Sequence, residues 1–489
     1  MARAYLEAGT AHDIATFELF FRNCPFRGEY AVASGYHQVR DVLENFRFSE
    51  DDLSYLRSLP SFRNAAPTFF ETLQALQLND VEVHGVREGS LVFPRVPILQ
   101  VTGPIFKIQI LESALLNAIN FSTLVSTYAR RIKLVAKDNR LLEFGMRRAQ
   151  GPNGAMTASR ASFLGGFDAT TNILAAKIFD IPVVGTMAHS FVQSFSSLST
   201  ADMDWLGETP SLQSEATNQG ELAAFISYAK VFPNECALLV DTYDVLKSGI
   251  PNAIRVFEAL QKRGHKPVGL RLDSGDLVFF SKEARRLLDG AGLTDVKILA
   301  SNELDENIIE SLQDQGARID SYGVGTQLVT AAPQPALGGV YKLVEVNGKA
   351  RMKISEQTEK LVLPCRKNVF RLYGRDEKML LDLMTLHHEP APQPAQELLA
   401  LHPADPFKKA TVSPSRIEPL LTPLFKKGKW LDELSLREKR ERSLKEMTFL
   451  RDDISRRHNP TPYKVSVTEK LKTLMNELYQ RERPTPRLD

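Results

Sequence analysis

The residues most able to do chemistry follow short apolar runs in the middle of the chain. The strongest group is Arg271, Asp273 and Asp276, which ends the run that starts at Val268. Alternate residues of a strand point to the same side, so Arg271 and Asp273 are expected to share a face, with Asp276 on the following turn. A cation beside a carboxylate can bind an anionic group and a sugar diol together. A structural ion pair at a strand end would have the same sequence.

Glycines and small polar residues end two further runs. Gly323, Gly325 and Thr326 follow an apolar-polar strand. Their backbone amides could cradle a phosphate, although an ordinary tight turn also uses such residues. Ser301 and Asn302 end the preceding run. A neighbouring phosphate loop is expected there, and a helix cap is the alternative.

A histidine and an arginine complete the set of candidates. His189 lies in the segment Gly185-Thr-Met-Ala-His-Ser190. It could act as an acid, base or nucleophile near neutral pH, or have a hydrogen-bonded structural role. Arg147, followed by Arg148, could contact phosphate or carboxylate. Alternatively it is a basic helix end that compensates the helix dipole.

Five short apolar runs with polar ends must position these side chains. A helical pattern follows these runs, which is typical of buried parallel strands in an α/β fold. In a (β/α) barrel the carboxyl ends of the strands hold the active site, so the sequence predicts an enzyme. A barrel aldolase or another phosphosugar enzyme also fits, although no lysine ends these runs to form a Schiff base. The runs cover residues 181–190, 237–242, 268–276, 296–302 and 321–326.

Three regions follow one another along the chain. Residues 1–125 mix strand-like and helical pieces and are predicted to begin an N-terminal α/β domain. Residues 126–338 hold the barrel units. Residues 339–489 are predicted to rejoin the first region, starting with a hairpin that turns at Asn347-Gly348. A capping box from Ser466 to Glu469 predicts the start of the last helix.

Composition and charge exclude several classes of protein. The 489 residues are 43% hydrophobic, which is enough for a full core in two or three domains. A formal charge of +2 is too small for a nucleic-acid footprint. No stretch approaches the roughly 18 apolar residues of a membrane span. Three widely spaced cysteines, and an N-terminus without a signal-peptide pattern, favour a reducing compartment, so the cytosol is expected.

Six ordered motifs closely resemble those of nicotinate phosphoribosyltransferases. The resemblance runs through nearly the whole chain and includes Asn459-Pro-Thr-Pro-Tyr463 near its end. It implies an α/β fold with an irregular (β/α) barrel plus an α/β domain built from the N-terminal and C-terminal segments. The motifs are Glu143-Phe-Gly-Met-Arg147-Arg148, Phe163-Leu-Gly-Gly-Phe-Asp168-Ala-Thr-Thr171-Asn172, Gly185-Thr-Met-Ala-His189-Ser190, Asp241-Thr-Tyr-Asp244, Arg271-Leu-Asp273-Ser-Gly-Asp276 and Gly323-Val-Gly325-Thr326.

The resemblance also implies an activity. Members of this family are expected to join nicotinate to 5-phosphoribosyl pyrophosphate, giving nicotinate mononucleotide and pyrophosphate in NAD salvage. ATP is a co-substrate whose hydrolysis is coupled to product formation, and Mg²⁺ or Mn²⁺ is the expected cofactor. The implied assembly is a homodimer with composite active sites, without nucleic-acid or membrane partners.

The same resemblance implies roles for individual residues. His189 is the residue that ATP phosphorylates, and Asp273 and Asp241 line the ribose and the magnesium region. Arg271 and Arg147 face the nicotinate or the phosphates. Ser301, Gly323 and Gly325 hold the 5-phosphate, and the other substrate-binding positions are Thr171, Gly185, Ser190, Asn302 and Thr326.

Thr171 bears on the choice between nicotinate and its amide. Relatives that use nicotinamide resemble this segment but place an aspartate at the position aligned with Thr171, where it accepts bonds from the amide nitrogen. An aspartate would repel nicotinate, whereas a hydroxyl can donate to it. A nicotinamide phosphoribosyltransferase is therefore the alternative enzyme, and Thr171 disfavours it.

The N-terminus raises another alternative. Most members carry a Leu-Tyr-Gln-x-Thr segment just before the position of Met1, and its tyrosine stacks on the nicotinate ring in the partner subunit's site. A catalytically inactive, truncated form that acts as a binding or regulatory protein is thus considered. The retained His189, Arg271 and Asp273 argue against it.

Overall fold

The computed structural model describes residues 1–207, 217–354 and 362–482. The chain forms two compact units, one of residues 1–127 and 334–489 and the other of residues 128–333. The barrel region predicted from the sequence, 126–338, differs from the second unit by two residues at its start (126 against 128) and five at its end (338 against 333).

The N-terminal stretch contributes five strands and five helices to the first unit. The strands are β1 (Ile14–Phe21), β2 (Ala31–Val32), β3 (Glu82–Gly85), β4 (Leu91–Val92) and β5 (Leu99–Pro104). The helices are α1 (Ala2–Glu7), α2 (Tyr36–Asn45), α3 (Glu50–Ser58), α4 (Pro67–Gln74) and α5 (Ile105–Ile110). The long helix α6 (Glu112–Ala136) contains the boundary at residue 127.

The second unit alternates strands with helices. Its strands are β6 (Arg140–Glu143), β7 (Ala169–Thr170), β8 (Ala237–Leu239), β9 (Gly269–Leu272), β10 (Lys297–Ser301) and β11 (Ser321–Val324). Its helices are α7 (Gly151–Gly165), α8 (Ile173–Phe179), α9 (His189–Gln193), α10 (Thr200–Leu206), α11 (Gln219–Val231), α12 (Ile250–Lys262), α13 (Leu277–Gly290), α14 (Glu306–Asp314) and α15 (Thr326–Val329).

The C-terminal stretch completes the first unit. Its strands are β12 (Gly339–Val346), β13 (Lys349–Ala350), β14 (Lys367–Tyr373), β15 (Met379–Leu386), β16 (Leu398–Leu401), β17 (Lys409–Val412), β18 (Arg416–Pro419), β19 (Thr422–Lys426), β20 (Lys429–Trp430) and β21 (Val465–Val467). Its helices are α16 (Leu436–Met447), α17 (Asp452–Ser455) and α18 (Glu469–Glu482).

Strands from both ends of the chain share a sheet in the first unit. The seven-stranded sheet has the order β13-β12-β1-β5-β3-β19-β20, and β1 pairs antiparallel with β12 on one side and β5 on the other. Asn347 and Gly348 both have positive φ, 48° and 71°, as a tight hairpin turn between β12 and β13 requires. A second sheet has the order β17-β16-β21-β15-β14-β18, and β2 pairs with β4.

The capping box predicted at Ser466 is wrong. Ser466 belongs to β21, and helix α18 begins at Glu469. The residue that caps this helix is Thr468, whose Oγ1 accepts a hydrogen bond from the amide of Leu471 at 3.4 Å. The strand pairing of Ser466 therefore takes precedence over its local capping preference.

The second unit is built around a six-stranded sheet in the order β7-β6-β11-β10-β9-β8. Every pair in this order is parallel, and helices connect most neighbouring strands. Most apolar strand residues are buried, and Leu270 and Ile298 are fully buried. The predicted α/β class with an irregular barrel is confirmed, with fewer strands among the described residues than the eight of a regular barrel. Within the described ranges, no helix is long and apolar enough to cross a membrane.

Candidate active site

A cavity of about 750 Å³ opens where β6, β9, β10 and β11 end. Parallel strands end at the same edge of a sheet, so residues distant in sequence meet there. Most of the predicted site residues line this cavity: Arg147, Thr171, Gly185, Arg271, Asp273, Ser301, Asn302, Gly323, Gly325 and Thr326. The other three predicted residues, Asp241, His189 and Ser190, are not among its lining residues.

Arg271 lies at the centre of a set of polar contacts. Its Nε donates to Ser301 Oγ at 2.9 Å, and its Nη2 lies 3.0 Å from Asp273 Oδ1. Its Nη1 donates to Thr186 Oγ1 at 3.3 Å, and the guanidinium carbon is 5.4 Å from the centre of the Phe144 ring. The side chain is only 14% exposed. Three polar partners and an aromatic face therefore fix the orientation of this cation.

Asp241 and Asp273 come from neighbouring strand ends and are connected by hydrogen bonds. Asp241 Oδ2 accepts from the amide of Asp273 at 3.2 Å and from Ser274 Oγ at 2.5 Å. Ser301 Oγ donates to Asp273 Oδ1, so Asp273 is held by both Ser301 and Arg271. The other oxygen of Asp241, Oδ1, is buried and has no hydrogen-bond partner in the described part of the chain. Within the described ranges, no protein donor therefore compensates the burial of this carboxylate oxygen.

His189 is the first residue of α9 and connects two strand ends. Its Nδ1 is 3.1 Å from Thr242 Oγ1, and its Nε2 is 3.8 Å from Asp273 Oδ2. The side chain is 41% exposed. The structure thus brings His189 to the edge of the site through Asp273, whereas the neighbouring Ser190 is exposed on the same helix.

Two of the structural alternatives considered for these motifs are not supported. Helix α14 begins at Glu306 and is capped by Asp305, so Ser301 and Asn302 do not cap it. Arg147 lies in a short 3₁₀ turn before α7, at the N-terminal side of that helix. A cation is not stabilised there by the helix dipole, which favours cations at the C-terminal end.

Packing requires a glycine at position 323, near the end of β11, but not at position 325. A Cβ on Gly323 would lie 2.9 Å from the ring of Phe144, closer than real contacts allow. A Cβ on Gly325 would lie 3.4 Å from the carbonyl oxygen of Phe144, which is an ordinary contact. Thr326 follows, and its Oγ1 donates to Glu303 Oε1 at 3.2 Å. The backbone therefore passes close to Phe144 before α15 begins.

The hydroxyl of Thr171 already has a partner. Its Oγ1 donates to the carbonyl oxygen of Glu143 at 3.2 Å, and its amide donates to the same oxygen at 3.0 Å. From the sequence, this hydroxyl is expected to donate to nicotinate. In the structure, that donation requires the hydroxyl to rotate away from Glu143.

Eight of the residues that line the cavity were not assigned to the site from the sequence. They are Phe144, Met146, Arg148, Ile173, Val183, Val184, Thr186 and Glu303. Phe144 directly follows β6, so the rule that strand-end residues face the site could have identified it, but an aromatic residue after an apolar run resembles core. Thr186 lies inside the quoted segment from Gly185 to Ser190, and Glu303 directly follows Asn302, but no spacing rule singles out either residue.

Three family descriptions match successive parts of the chain. The nicotinate phosphoribosyltransferase N-terminal domain matches residues 1–120, the nicotinate phosphoribosyltransferase family matches residues 139–380, and the C-terminal domain of the same enzymes matches residues 366–475. The matches therefore fall on both structural units.

Individual relatives agree with these matches. The chain is 43% identical to nicotinate phosphoribosyltransferase 2 of Arabidopsis thaliana, covering 100% of the chain and 94% of the relative. It is 41% identical to the nicotinate phosphoribosyltransferase of Homo sapiens, covering 99% and 96%. The crystal structure of human nicotinic acid phosphoribosyltransferase is similar with a TM-score of 0.87 and 39% identity, covering 98% of both chains. The resemblance inferred from the six motifs is confirmed, and the chain belongs to the nicotinate phosphoribosyltransferase family.

Proposed function

We propose that this chain transfers the 5-phosphoribosyl group of 5-phosphoribosyl pyrophosphate to nicotinate, giving nicotinate mononucleotide and pyrophosphate in NAD salvage. The observation that supports this most is the setting of Arg271, a fixed guanidinium beside the ring of Phe144 in the strand-end cavity. A planar anion such as nicotinate can stack on an aromatic ring while its carboxylate pairs with a guanidinium. The relatives named for this reaction match nearly the whole chain.

The chemistry places specific demands on the carboxylates. The ring nitrogen of nicotinate forms a bond to C1 of the ribose as the bond from C1 to the pyrophosphate oxygen breaks, and the electron pair leaves with pyrophosphate. Positive charge develops on the sugar during this exchange. The amide of Asp273 donates to Asp241 Oδ2 at 3.2 Å, which keeps the two residues together. Their carboxylates supply negative charge that favours such a transition state.

The same carboxylates fit a divalent cation. Mg²⁺ prefers oxygen ligands and is usually held by one or two carboxylates together with substrate phosphates. The buried, unpartnered Oδ1 of Asp241 and the carboxylate of Asp273 match this donor set, so we propose them as the residues that would hold Mg²⁺ or Mn²⁺. In the described ranges, no group of three or more His, Cys, Asp or Glu residues could hold a metal ion alone. The ion, when bound, would neutralise charge on the departing pyrophosphate.

The 5-phosphate at the other end of the ribose must be bound as well, and neutral hydrogen-bond donors can bind it. Ser301, Asn302, Gly323 and Gly325 line the same cavity at the ends of β10 and β11. Backbone amides of such loops bind phosphate in many barrel enzymes. This supports the assignment of the 5-phosphate to these loops.

We propose that ATP phosphorylates His189 as the coupled step. An imidazole nitrogen attacks the γ-phosphorus, the bond to the β,γ-bridging oxygen breaks, and ADP leaves. In the tautomer whose Nδ1–H donates to Thr242, Nε2 keeps its lone pair and lies on the side of Asp273, at 3.8 Å. Its 41% exposure leaves the ring accessible to a nucleotide.

We further propose a cytosolic homodimer with composite active sites. Five large apolar side chains in two nearby segments are each more than half exposed: Met146, Ile173, Leu174, Ile178 and Val183. Three of them, Met146, Ile173 and Val183, line the cavity itself. Apolar exposure at the edge of a site is typical of a surface that another protein covers. A second copy of the chain fits this role.

A steady-state assay for nicotinate mononucleotide, run with and without ATP, tests the proposed reaction. Product is expected with nicotinate and at least about tenfold less with nicotinamide, which is the effect of about 1.4 kcal/mol. Absence of product with both bases would contradict the proposal, and a preference for nicotinamide would support the alternative enzyme. Light scattering at several protein concentrations tests the dimer independently.

A further inference from the structure

Four buried polar side chains form a closed set beside the loops that line the cavity. We call them the polar ring: Glu143, Ser159, Thr170 and Asn172. Each is only 1% exposed. They come from four different elements, because Glu143 ends β6, Ser159 lies on α7, Thr170 ends β7 and Asn172 precedes α8.

Hydrogen bonds connect every member of the polar ring to two others. Glu143 Oε2 accepts from Ser159 Oγ at 2.8 Å and from Thr170 Oγ1 at 2.5 Å. The amide of Asn172 donates to Thr170 Oγ1 at 2.9 Å, and its Nδ2 donates to Ser159 Oγ at 3.1 Å. Asn172 Oδ1 then accepts from the amide of Ala175 and caps α8. The ring therefore fixes two strand ends and two helices relative to one another.

Glu143 contributes the carboxylate of the ring, and no cationic partner for it exists among the residues that the structure describes. No Lys, Arg or His side chain in the described ranges forms an ion pair with it, and all its hydrogen bonds are to neutral donors. Burying a carboxylate without a counter-ion is costly unless its oxygens are fully hydrogen-bonded. Bonds to a charged acceptor are also stronger than neutral ones, so this carboxylate holds its donors more firmly than an amide or a hydroxyl would.

Apart from Ser159 on α7, the donors to Glu143 come from the segments after β6 and at the end of β7, which carry the proposed base-binding residues. Its Oε1 accepts from the amide of Gly145, which directly follows Phe144. Its backbone carbonyl accepts both the amide and the hydroxyl of Thr171. One residue thus fixes the turn after Phe144 through its side chain, and the Thr171 loop through its backbone and through Thr170.

We propose that Glu143 is a positioning residue that sets the affinity of the site for the base by holding Phe144 and Thr171 at fixed places in the cavity. This proposal rests on the proposed function, because the base subsite is the one that nicotinate would occupy. Phe144 and Thr171 both line the cavity, whereas Glu143 is buried and is not a lining residue. The loops assigned to the 5-phosphate, which end β10 and β11, make no bond to the carboxylate of Glu143.

The test compares E143A, E143Q and S159A with a matched control, S162A. Ser162 is a buried serine on the same helix as Ser159, and among the described residues its Oγ donates only to the carbonyl oxygen of Ala158 at 2.6 Å. The measured quantities are the KM for nicotinate, the KM for 5-phosphoribosyl pyrophosphate, kcat and the melting temperature. A glutamine at 143 can accept from Gly145 and donate to the hydroxyls of Ser159 and Thr170, so E143Q keeps most of the ring.

We expect E143A to raise the KM for nicotinate at least about tenfold, equal to about 1.4 kcal/mol, while the KM for phosphoribosyl pyrophosphate changes less than about threefold. S159A is expected to raise the nicotinate KM by about threefold, and S162A to remain close to the wild type. E143Q should lie between the wild type and E143A, because it keeps the hydrogen bonds but loses the charge. The proposal would be overturned if E143A raised the KM values for nicotinate and phosphoribosyl pyrophosphate equally. It would also be overturned if the nicotinate KM of E143A and S159A did not differ from that of S162A. If E143A does not fold, S159A against S162A decides.

Wild-type turnover separates this proposal from the proposed function. If the wild type forms no nicotinate mononucleotide, the function fails, and the positioning claim is decided by structure alone. Crystal structures of S159A and S162A give that readout. We expect Phe144 and Thr171 to be displaced relative to Arg271 in S159A but not in S162A. Unchanged positions in S159A would refute the positioning role even in an active enzyme.

Discussion

Removal of the Arg271 side chain is the sharpest test of the site. The guanidinium has three polar partners, Ser301, Thr186 and Asp273, and it lies 5.4 Å from the ring centre of Phe144. We predict that Arg271→Ala lowers kcat/KM for nicotinate while the fold survives. The strands that surround the site are held by their backbone ladders and apolar residues, not by this arginine.

The magnitude follows from the burial of the charge. Truncating one partner of a buried, hydrogen-bonded charge pair costs about 2–5 kcal/mol, which is about 30- to 5000-fold in rate. Because the side chain retains 14% exposure, water replaces part of the lost contact, and the lower half of this range is expected. A loss of about 3 kcal/mol corresponds to about 150-fold in kcat/KM.

Arg271→Lys refines the same prediction. Lysine keeps the positive charge but has no planar fork, so its single nitrogen cannot bond to Ser301, Thr186 and Asp273 at their present positions. We therefore expect a loss that lies between those of the wild type and Arg271→Ala, of about tenfold. If charge alone mattered, the lysine variant would match the wild type.

The assay is steady-state formation of nicotinate mononucleotide at varied nicotinate and saturating phosphoribosyl pyrophosphate. Arg286→Ala is the control, because Arg286 is an exposed arginine of the same unit, on α13, that pairs with Glu283. Its kcat/KM should stay within about twofold of the wild type. An Arg271→Ala enzyme that is folded and within about threefold of the wild type would refute the placement of this cation against the substrate.

Three further predictions concern ATP coupling, base choice and thiol reactivity. His189→Ala should abolish ATP-stimulated turnover but leave slow ATP-independent product formation, and full ATP stimulation in a rate assay would contradict the phosphohistidine role. Thr171→Asp should lower kcat/KM for nicotinate by about 10- to 100-fold through like-charge repulsion and raise it for nicotinamide, as paired assays with the two bases will show. Burial raises the pKa of the Cys236 and Cys365 thiols to about 12 and the pKa of the Cys24 thiol well above its usual value. At pH 8, a thiol with a pKa of 12 is ionised in only about one molecule in 10⁴. A thiol reagent should therefore label the native protein much more slowly than the protein unfolded in guanidinium, and rapid native labelling would show an accessible thiolate among Cys236, Cys365 and Cys24.

The strand-end rule accounts for most of what the sequence could predict about the site. Apolar runs that alternate with helices identify parallel strands, and their polar ends must meet at one edge. Arg271, Ser301 and Gly323 therefore lie in one cavity, as the pattern predicts. The assignment of nicotinate, phosphates and ATP to particular residues came from the family resemblance, since no spacing rule distinguishes one anion from another.

The hydrophobic periodicity of the sequence does not predict which side chains from distant parts of the chain contact one another. The contact of His189 with Thr242 joins residues 53 positions apart, and no periodicity relates them. The direction of the Thr171 hydroxyl was also not predictable, because it depends on a carbonyl 28 positions earlier. Glu143 was quoted only as part of a motif, because a charged residue at a strand end normally indicates exposure, whereas here it is buried among neutral donors.

Gly323 shows why one glycine motif has several interpretations. The sequence allowed a phosphate cradle or a tight turn, and a turn with positive φ would explain glycine by backbone freedom. In the structure, Gly323 is not among the residues with positive φ, and glycine is required because a Cβ would meet the ring of Phe144 at 2.9 Å. The Phe144 ring thus packs against the backbone of Gly323, where a side chain would displace it. On its other side, the amide of Gly145 donates to Glu143 and fixes the turn that follows Phe144. The glycine of a loop assigned to phosphate therefore also shapes the pocket for the base, so a substitution at Gly323 should disturb both substrates, whereas one at Glu143 should disturb the base alone.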